Sequence, residues 1–184
     1  MRDWLIQASD RLAKGEKSAV VVLTALLLFL ILLNVVTRSL SLALYWVDEL
    51  AIYVMIWLVL IGASVTVHER SGIAVTLGID ALPPSLRQAL LRIVDHLVLA
   101  VAAALLALSW IWYDPIALAA HGFDIKAFAA KTFNFIYAEP TTTLGLPKFL
   151  IWSIMPIVSL AMTLHALANL FRPLPEKQAA TAET

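Results

Sequence analysis

Three observations predict an all-α integral membrane protein with four transmembrane helices and additional interfacial amphipathic helices. Four runs carry no Asp, Glu, Lys or Arg: Ser18–Val36 (19 residues), Leu50–Val67 (18), Leu97–Tyr113 (17) and Phe149–Phe171 (23). A bilayer core of ~30 Å needs about 20 helical residues at ~1.5 Å each, so every run spans once its flanks are added. Composition agrees: 61% of residues are hydrophobic and only 14% charged, with a mean hydropathy of +0.88, whereas soluble domains carry roughly 25% charged residues. The runs are also continuous and rich in Leu, Ala and Val, which excludes the alternating short strands of a closed barrel.

The elements follow in order. Residues 1–17 place Trp4, Leu5, Ala8 and Leu12 at helical spacing, with Arg2, Asp10, Arg11 and Lys14 largely elsewhere around the helix. That pattern predicts a cytoplasmic interfacial helix with Trp4 toward the acyl chains; a solvated tail is the plainer alternative. At 19 residues the first run exceeds a secretory apolar region of about 7 to 15, so it is read as a retained span. Residues 18–173 form the transmembrane domain, with spans at about 18–38, 46–68, 90–113 and 148–171. Asp80-Ala81-Leu82-Pro83-Pro84-Ser85 reads as a stop followed by a helix start, because proline is tolerated in the first turn and not later. The third helix is thus expected to start near Ser85, with Arg87 and Arg92 reaching lipid phosphates.

Residues 114–147 are long for a bare loop. Ile125, Phe128, Ala129, Phe133 and Ile136 recur at helical spacing there, predicting a periplasmic interfacial helix against the membrane boundary or another protein. Residues 174–184 are small and polar and are expected to form a disordered cytoplasmic tail.

Charge placement sets the orientation. Arg2, Arg11, Lys14, Lys17, Arg70, Arg87, Arg92, Arg172 and Lys177 fall on one side of the four spans, and only Arg38, Lys126, Lys131 and Lys148 on the other. The excess predicts that both termini are cytoplasmic.

The same residues exclude several function classes. No cysteine is present, so disulfides and thiolate metal sites are impossible. No glycine-rich phosphate loop, HExxH motif or Ser/His/Asp constellation occurs, which argues against an enzyme. No basic stripe exceeds what membrane orientation accounts for, which argues against nucleic acid. Four spans without an internal repeat, and with almost no ionisable group inside them, make a poor pore or pump. The alternative from another class is a haem-b membrane anchor of a redox enzyme, because His96 and His165 lie at similar depths near the cytoplasmic ends of the third and fourth spans.

Trp46, Asp48 and Glu49 head the second span. Acids there gain from the helix macrodipole and can meet Arg38 across the short hairpin, or a cation on another subunit. Trp57 is expected to face lipid or a neighbouring helix, and Gly62-Ala63-Ser64 to permit close helix approach.

The series Arg38, Trp46-Val47-Asp48-Glu49, Trp57, Gly62-Ala63-Ser64 and Arg70-Ser71-Gly72-Ile73-Ala74-Val75 resembles the small membrane subunit, the DctQ or Q subunit, of tripartite ATP-independent periplasmic (TRAP) transporters. In that family an arginine ends helix one, a Trp-x-Glu-Glu-like segment starts helix two, a Trp and a Leu-Gly-Ala-like step lie within it, and a Gly-His-Ile-x-Val-Asp-like stretch follows. Here Asp48 replaces the first glutamate, Ile73 follows Gly72 without the histidine, and Thr76 stands near the place of the aspartate. The resemblance implies a small permease subunit in a bacterial inner membrane, without a cofactor of its own. It implies a large DctM-like permease subunit holding the sodium and substrate sites, a periplasmic substrate-binding protein, and sodium-coupled uptake of an organic anion. It further implies that this chain is a scaffold for an elevator-type transport subunit, with Arg38, Trp46, Asp48, Glu49, Trp57 and Gly62 near the partner or its hairpin. Trp4, Arg87 and Arg92 would meet membrane lipids.

Overall fold

The computed structural model describes residues 2–70 and 82–174, and these are helical with no strand among them. The helices are α1 (Arg2–Ser39), α2 (Tyr45–Glu69), α3 (Pro84–Tyr113), α4 (Pro115–Ala120), α5 (Ile125–Thr132), α6 (Lys148–Trp152) and α7 (Ile154–Phe171). Four segments are long and apolar enough to cross a membrane: Arg2–Ser39, Tyr45–Glu69, Pro84–Ala120 and Lys148–Phe171. The face where α1 begins and α7 ends is called the terminal face; the α1–α2 hairpin marks the hairpin face.

α7 is the centre of the arrangement, packing against α1, α2 and α3, while α1 and α2 also pack along each other. Leu30, Val47 and Val54 form the α1–α2 core, and Ile61, Ile154 and Val158 join α2 to α7. Small side chains let α3 approach α7: Ala102 is fully buried, and Ser109 Oγ lies 3.5 Å from Ser159 Oγ. Much apolar surface is left uncovered, including Val21, Val22, Phe29 and Val36 of α1, Ile52 and Val59 of α2, and Val101 and Leu108 of α3.

Three elements depart from what the sequence predicts. No separate interfacial helix forms over residues 1–17, because α1 runs unbroken from Arg2 to Ser39. Its 38 residues extend roughly 57 Å, far beyond a bilayer core. The first four turns are held by packing against α2 and α7, with Ser9, Ala13 and Glu16 buried, which a helix lying flat in the headgroups would forgo.

The fourth span is interrupted at Ser153 between α6 and α7. Pro156 has no N–H for the Trp152 carbonyl, and its ring crowds that carbonyl, so the helix cannot continue unbroken.

The connection between α3 and α6 contains two short helices rather than one. α5 begins at Asp124, whose carboxylate accepts from Lys126 and Ala127 N–H. It ends where Phe133 turns left-handed at φ 54°, so Phe133 and Ile136 lie beyond it. Phe128 and Ile136 are nevertheless buried, packing the segment onto the bundle. The anticipated disordered tail lies outside the described residues apart from Leu174, as does the stretch Ser71–Val75 with Thr76, Asp80 and Ala81.

Candidate functional site

The hairpin face is built on the first turn of α2. Successive helical residues point about 100° apart, so adjacent acids serve different neighbours. Asp48 turns to α1: its carboxylate accepts from Arg38 at 2.7 Å and from Asn34, while Arg38 Nε also donates to Asn34 Oδ1 at 2.9 Å. Glu49 turns the other way. It accepts the main-chain N–H groups of Thr142 (2.7 Å), Thr143 (2.6 Å) and Leu144 (2.9 Å), together with the Thr143 hydroxyl at 2.5 Å and the Tyr53 phenol at 3.0 Å.

Three successive amides aimed at one point form an anion-binding nest. The nest is shaped by a tight loop in which Thr141 N–H donates to the Leu146 carbonyl at 2.7 Å and Gly145 adopts φ 67°, a conformation glycine takes without a Cβ penalty. The loop is tied again by Lys148 and Glu139, 2.8 Å apart. Glu49 therefore fastens the loop preceding α6 onto α2.

Behind this loop, aromatic side chains close the end of α3. Tyr137 donates to the Tyr113 carbonyl at 2.7 Å and Tyr113 to the Phe149 carbonyl at 2.6 Å, with Phe128 edge-on to Tyr137. Burial raises the Tyr137 phenol above the ordinary tyrosine value, and the nearby Asp114 charge adds to this.

Trp57 marks the interruption of the fourth span. Its indole N–H donates to the Ile151 carbonyl at 2.8 Å, just before the break at Ser153. It is a clamp on an irregular backbone, where the sequence suggests an apolar contact alone.

The terminal face is organised by the last turn of α7, whose carbonyls have no partner within the helix. Arginines from three helices supply one. Arg2 of α1 donates to the Phe171 carbonyl at 2.8 Å. Arg70, at the end of α2, reaches the Asn169 carbonyl and, at 2.8 Å, that of Pro173. Arg92 of α3 donates to the Leu170 carbonyl at 2.9 Å and that of Arg172 at 3.4 Å. Cations suit this end because the macrodipole leaves it partly negative.

Asp95, only 7% exposed, binds Arg70 in two places at 3.1 and 2.9 Å and stands 3.7 Å from Arg92. Burial pulls the Arg70 guanidinium below the usual arginine value, opposed by Asp95, and it stays charged. The exchange is reciprocal, since Asn169 Nδ2 donates to the Val67 carbonyl near the end of α2 at 2.7 Å. A cavity of about 220 Å³ opens beside this collar, lined by Val67, Leu91, Val94, Val98 and Ala166 among others.

The other anticipated site residues are spread over the bundle. Arg92 turns inward to α7, not outward to lipid phosphates, because the α7 carbonyls are within its reach. Arg87 is half-buried, and Trp4 and Trp46 stay exposed. At Gly62 a Cβ would meet nothing within 4 Å, so no helix among the described residues approaches closely there. Ser64, two residues on, is fully buried instead, with a hydroxyl lacking a partner among the described residues.

His165 has both ring nitrogens engaged with α1. His96 bonds the Arg92 carbonyl of its own helix at 2.7 Å. The family model described as tripartite ATP-independent periplasmic transporters, DctQ component, matches residues 27–176.

The chain belongs to the DctQ family. No curated protein matches it. Membership makes it the small permease subunit of a TRAP transporter and a multi-pass membrane protein, in a family of transporter components rather than enzymes. The match includes both faces just described but starts at residue 27, so Arg2, Ser9, Asp10 and Glu16 lie before it.

Proposed function

We propose that this DctQ subunit is the fixed scaffold of a sodium-coupled TRAP system for organic anion uptake. It would stand beside a large DctM-like subunit that carries the sodium and substrate sites and moves as an elevator. A periplasmic binding protein would deliver the anion. The terminal face is assigned to the cytoplasm of a bacterial inner membrane, because Arg2, Arg11, Lys14, Lys17, Arg70, Arg87, Arg92 and Arg172 gather there.

The observation that carries this reading is the contrast between locked ends and bare sides. Both faces are cross-tied by charged groups, whereas long apolar stretches of α1, α2 and α3 have no neighbour among the described residues. Such a body resists internal shear and offers membrane-length surface to a partner. Exposed Trp4, with α1 continuing past the bilayer, supports the resistance to tilting that lipid contacts give.

The experiment is uptake into proteoliposomes containing the large subunit, with the binding protein and a sodium gradient supplied. Organic anion should accumulate only when this chain is present and the gradient is intact. Equal uptake without the chain would overturn the scaffold role, and uptake indifferent to sodium would overturn the coupling. A reporter fused after Lys177 that is active only outside the membrane would reverse the orientation.

A further inference from the structure

On the terminal face, three helices bring together a polar cluster that a static scaffold does not require. His165 of α7 is fully buried. Its Nδ1 lies 2.7 Å from Ser9 Oγ, and its Nε2 lies 3.0 Å from the Glu16 carboxylate. Ser9 and Glu16 are two turns apart on α1, about 10 Å along its axis, so one imidazole bridges both turns. His68 of α2 approaches the same hydroxyl, with its Nδ1 3.1 Å from Ser9 Oγ. The two imidazoles meet edge-on, centroids 5.0 Å apart.

The remaining charges around the cluster come from all three helices. Asp10 of α1 lies 3.7 Å from His68 Nε2 and is bound by Arg172. Arg172 also stands 3.4 Å from both Ser9 Oγ and His68 Nδ1. Lys17 of α1 and Glu69 of α2 pair with each other at 2.6 Å. Side-chain exposure falls along the row, from 49% at Asp10 to 14% at His68 and 0% at His165. The row leads from water into the bundle.

A hydroxyl has one proton, and here two imidazole nitrogens face it. Two arrangements satisfy both the Ser9 hydroxyl and the two nitrogens of His165. In the first, Ser9 donates to bare His165 Nδ1, His165 Nε2–H donates to Glu16, and His68 Nδ1–H donates to Ser9. In the second, Ser9 donates to bare His68 Nδ1, His68 carries its proton on Nε2 toward Asp10, and His165 is protonated on both nitrogens. The second holds one more proton than the first, and conversion between them needs only short transfers. A proton from water binds His68 Nε2, the His68 Nδ1 proton passes to Ser9 Oγ, and the Ser9 proton passes to His165 Nδ1. Charge rises by one, Glu16 remains a carboxylate, and no other bond breaks.

We propose that His68, Ser9 and His165 form a proton-binding relay that carries one proton from the solvent side at Asp10 to the buried His165–Glu16 pair. Loading converts the α1–α7 contact from a neutral imidazole donating to the Glu16 carboxylate into an imidazolium–carboxylate pair, so the first turns of α1 grip α7 more tightly when the proton is bound. The cluster depends on residues before the family match, and the inference stands or falls apart from the transport reading.

The test is histidine ring-nitrogen NMR on the full-length protein, labelled with ¹⁵N-histidine in lipid nanodiscs and titrated from about pH 8 to about pH 5, the range in which imidazoles exchange protons. The wild-type protein should show His165 gaining its second proton in step with the change at His68 from Nδ1–H to Nε2–H. Ser9→Ala keeps a strong helix former but removes the bridge. In that protein His68 should still titrate, while His165 no longer follows it. His96 and His121, which bond main-chain carbonyls, serve as controls for the fold. If they shift in Ser9→Ala, the Glu16→Gln protein decides, and there His165 should remain singly protonated where the wild type is doubly protonated. A His165 signal constant across the range in the wild type would overturn the relay. So would a His165 titration unchanged by Ser9→Ala, or, where Glu16→Gln decides, unchanged by that substitution.

Discussion

The two faces are closed by opposite charges acting on opposite ends of helices. At the hairpin face, adjacent acids near the start of α2 reach an arginine and a nest of amide N–H groups. At the terminal face, arginines reach the last carbonyls of α7. Both arrangements follow the helix macrodipole, but they differ in burial. Arg38 and Asp48 are 61% and 38% exposed in their side chains, against 16% and 7% for Arg70 and Asp95. Strength should therefore be concentrated at the terminal face, while the hairpin face sets loop position more than global stability.

The largest expected effect follows from breaking the buried pair. Asp95→Ala leaves the Arg70 guanidinium without its carboxylate, which costs roughly 3 to 5 kcal/mol for a buried pair. A thermal melt in detergent should show the fall, and an Asp95→Ala melt equal to wild type would mean that the carbonyls alone hold Arg70.

Trp57→Phe comes next. It keeps an aromatic ring but strands the Ile151 carbonyl, at a cost of about 1 to 3 kcal/mol. Because Pro156 interrupts the helix there, the loss should shrink in a Pro156→Ala background, where a regular helix can supply the missing bond. A double-mutant cycle measures this coupling, and strict additivity would sever the link between Trp57 and the break.

Glu49→Gln should act locally. Amide exchange at Thr142, Thr143 and Leu144 should accelerate, with the four spans unchanged, and Asp48→Asn should leave those amides protected. Equal loosening by both variants would contradict the division of labour between adjacent acids. Smallest of all is Arg38→Ala, worth at most about 1 kcal/mol for an exposed pair, and high salt should erase even that difference.

The sequence makes some of this visible and conceals the rest for definable reasons. Four spans follow from unbroken apolar runs, and the start of α3 from Pro84, because bilayer thickness and proline chemistry act on local sequence. Arg38 with Asp48 was within reach, since a short hairpin keeps them close. Glu49 with Thr142–Leu144 was not, because three backbone amides in a distant loop leave no side-chain signature. The Arg70–Asp95 pair was readable in principle, with an arginine ending one span and an acid within the next helix, but composition alone points such residues at lipid and water. Residues 1–17 suggest an interfacial helix by their pattern. The burial of Ser9 and Glu16 that makes them part of a continuous α1 depends on α7, over a hundred residues away. The break at Ser153 had a signal in Pro156, which a count of apolar residues overlooks.

The central claim is that this DctQ subunit is a rigid body completed by a larger membrane partner along its uncovered faces. Native mass spectrometry of the tagged chain, gently extracted from its own membrane, tests it most directly. A 1:1 complex with a much larger polytopic subunit and no bound haem is expected. A chain that flies alone from membranes containing that subunit, or one carrying haem or joined to a soluble redox protein, would contradict it.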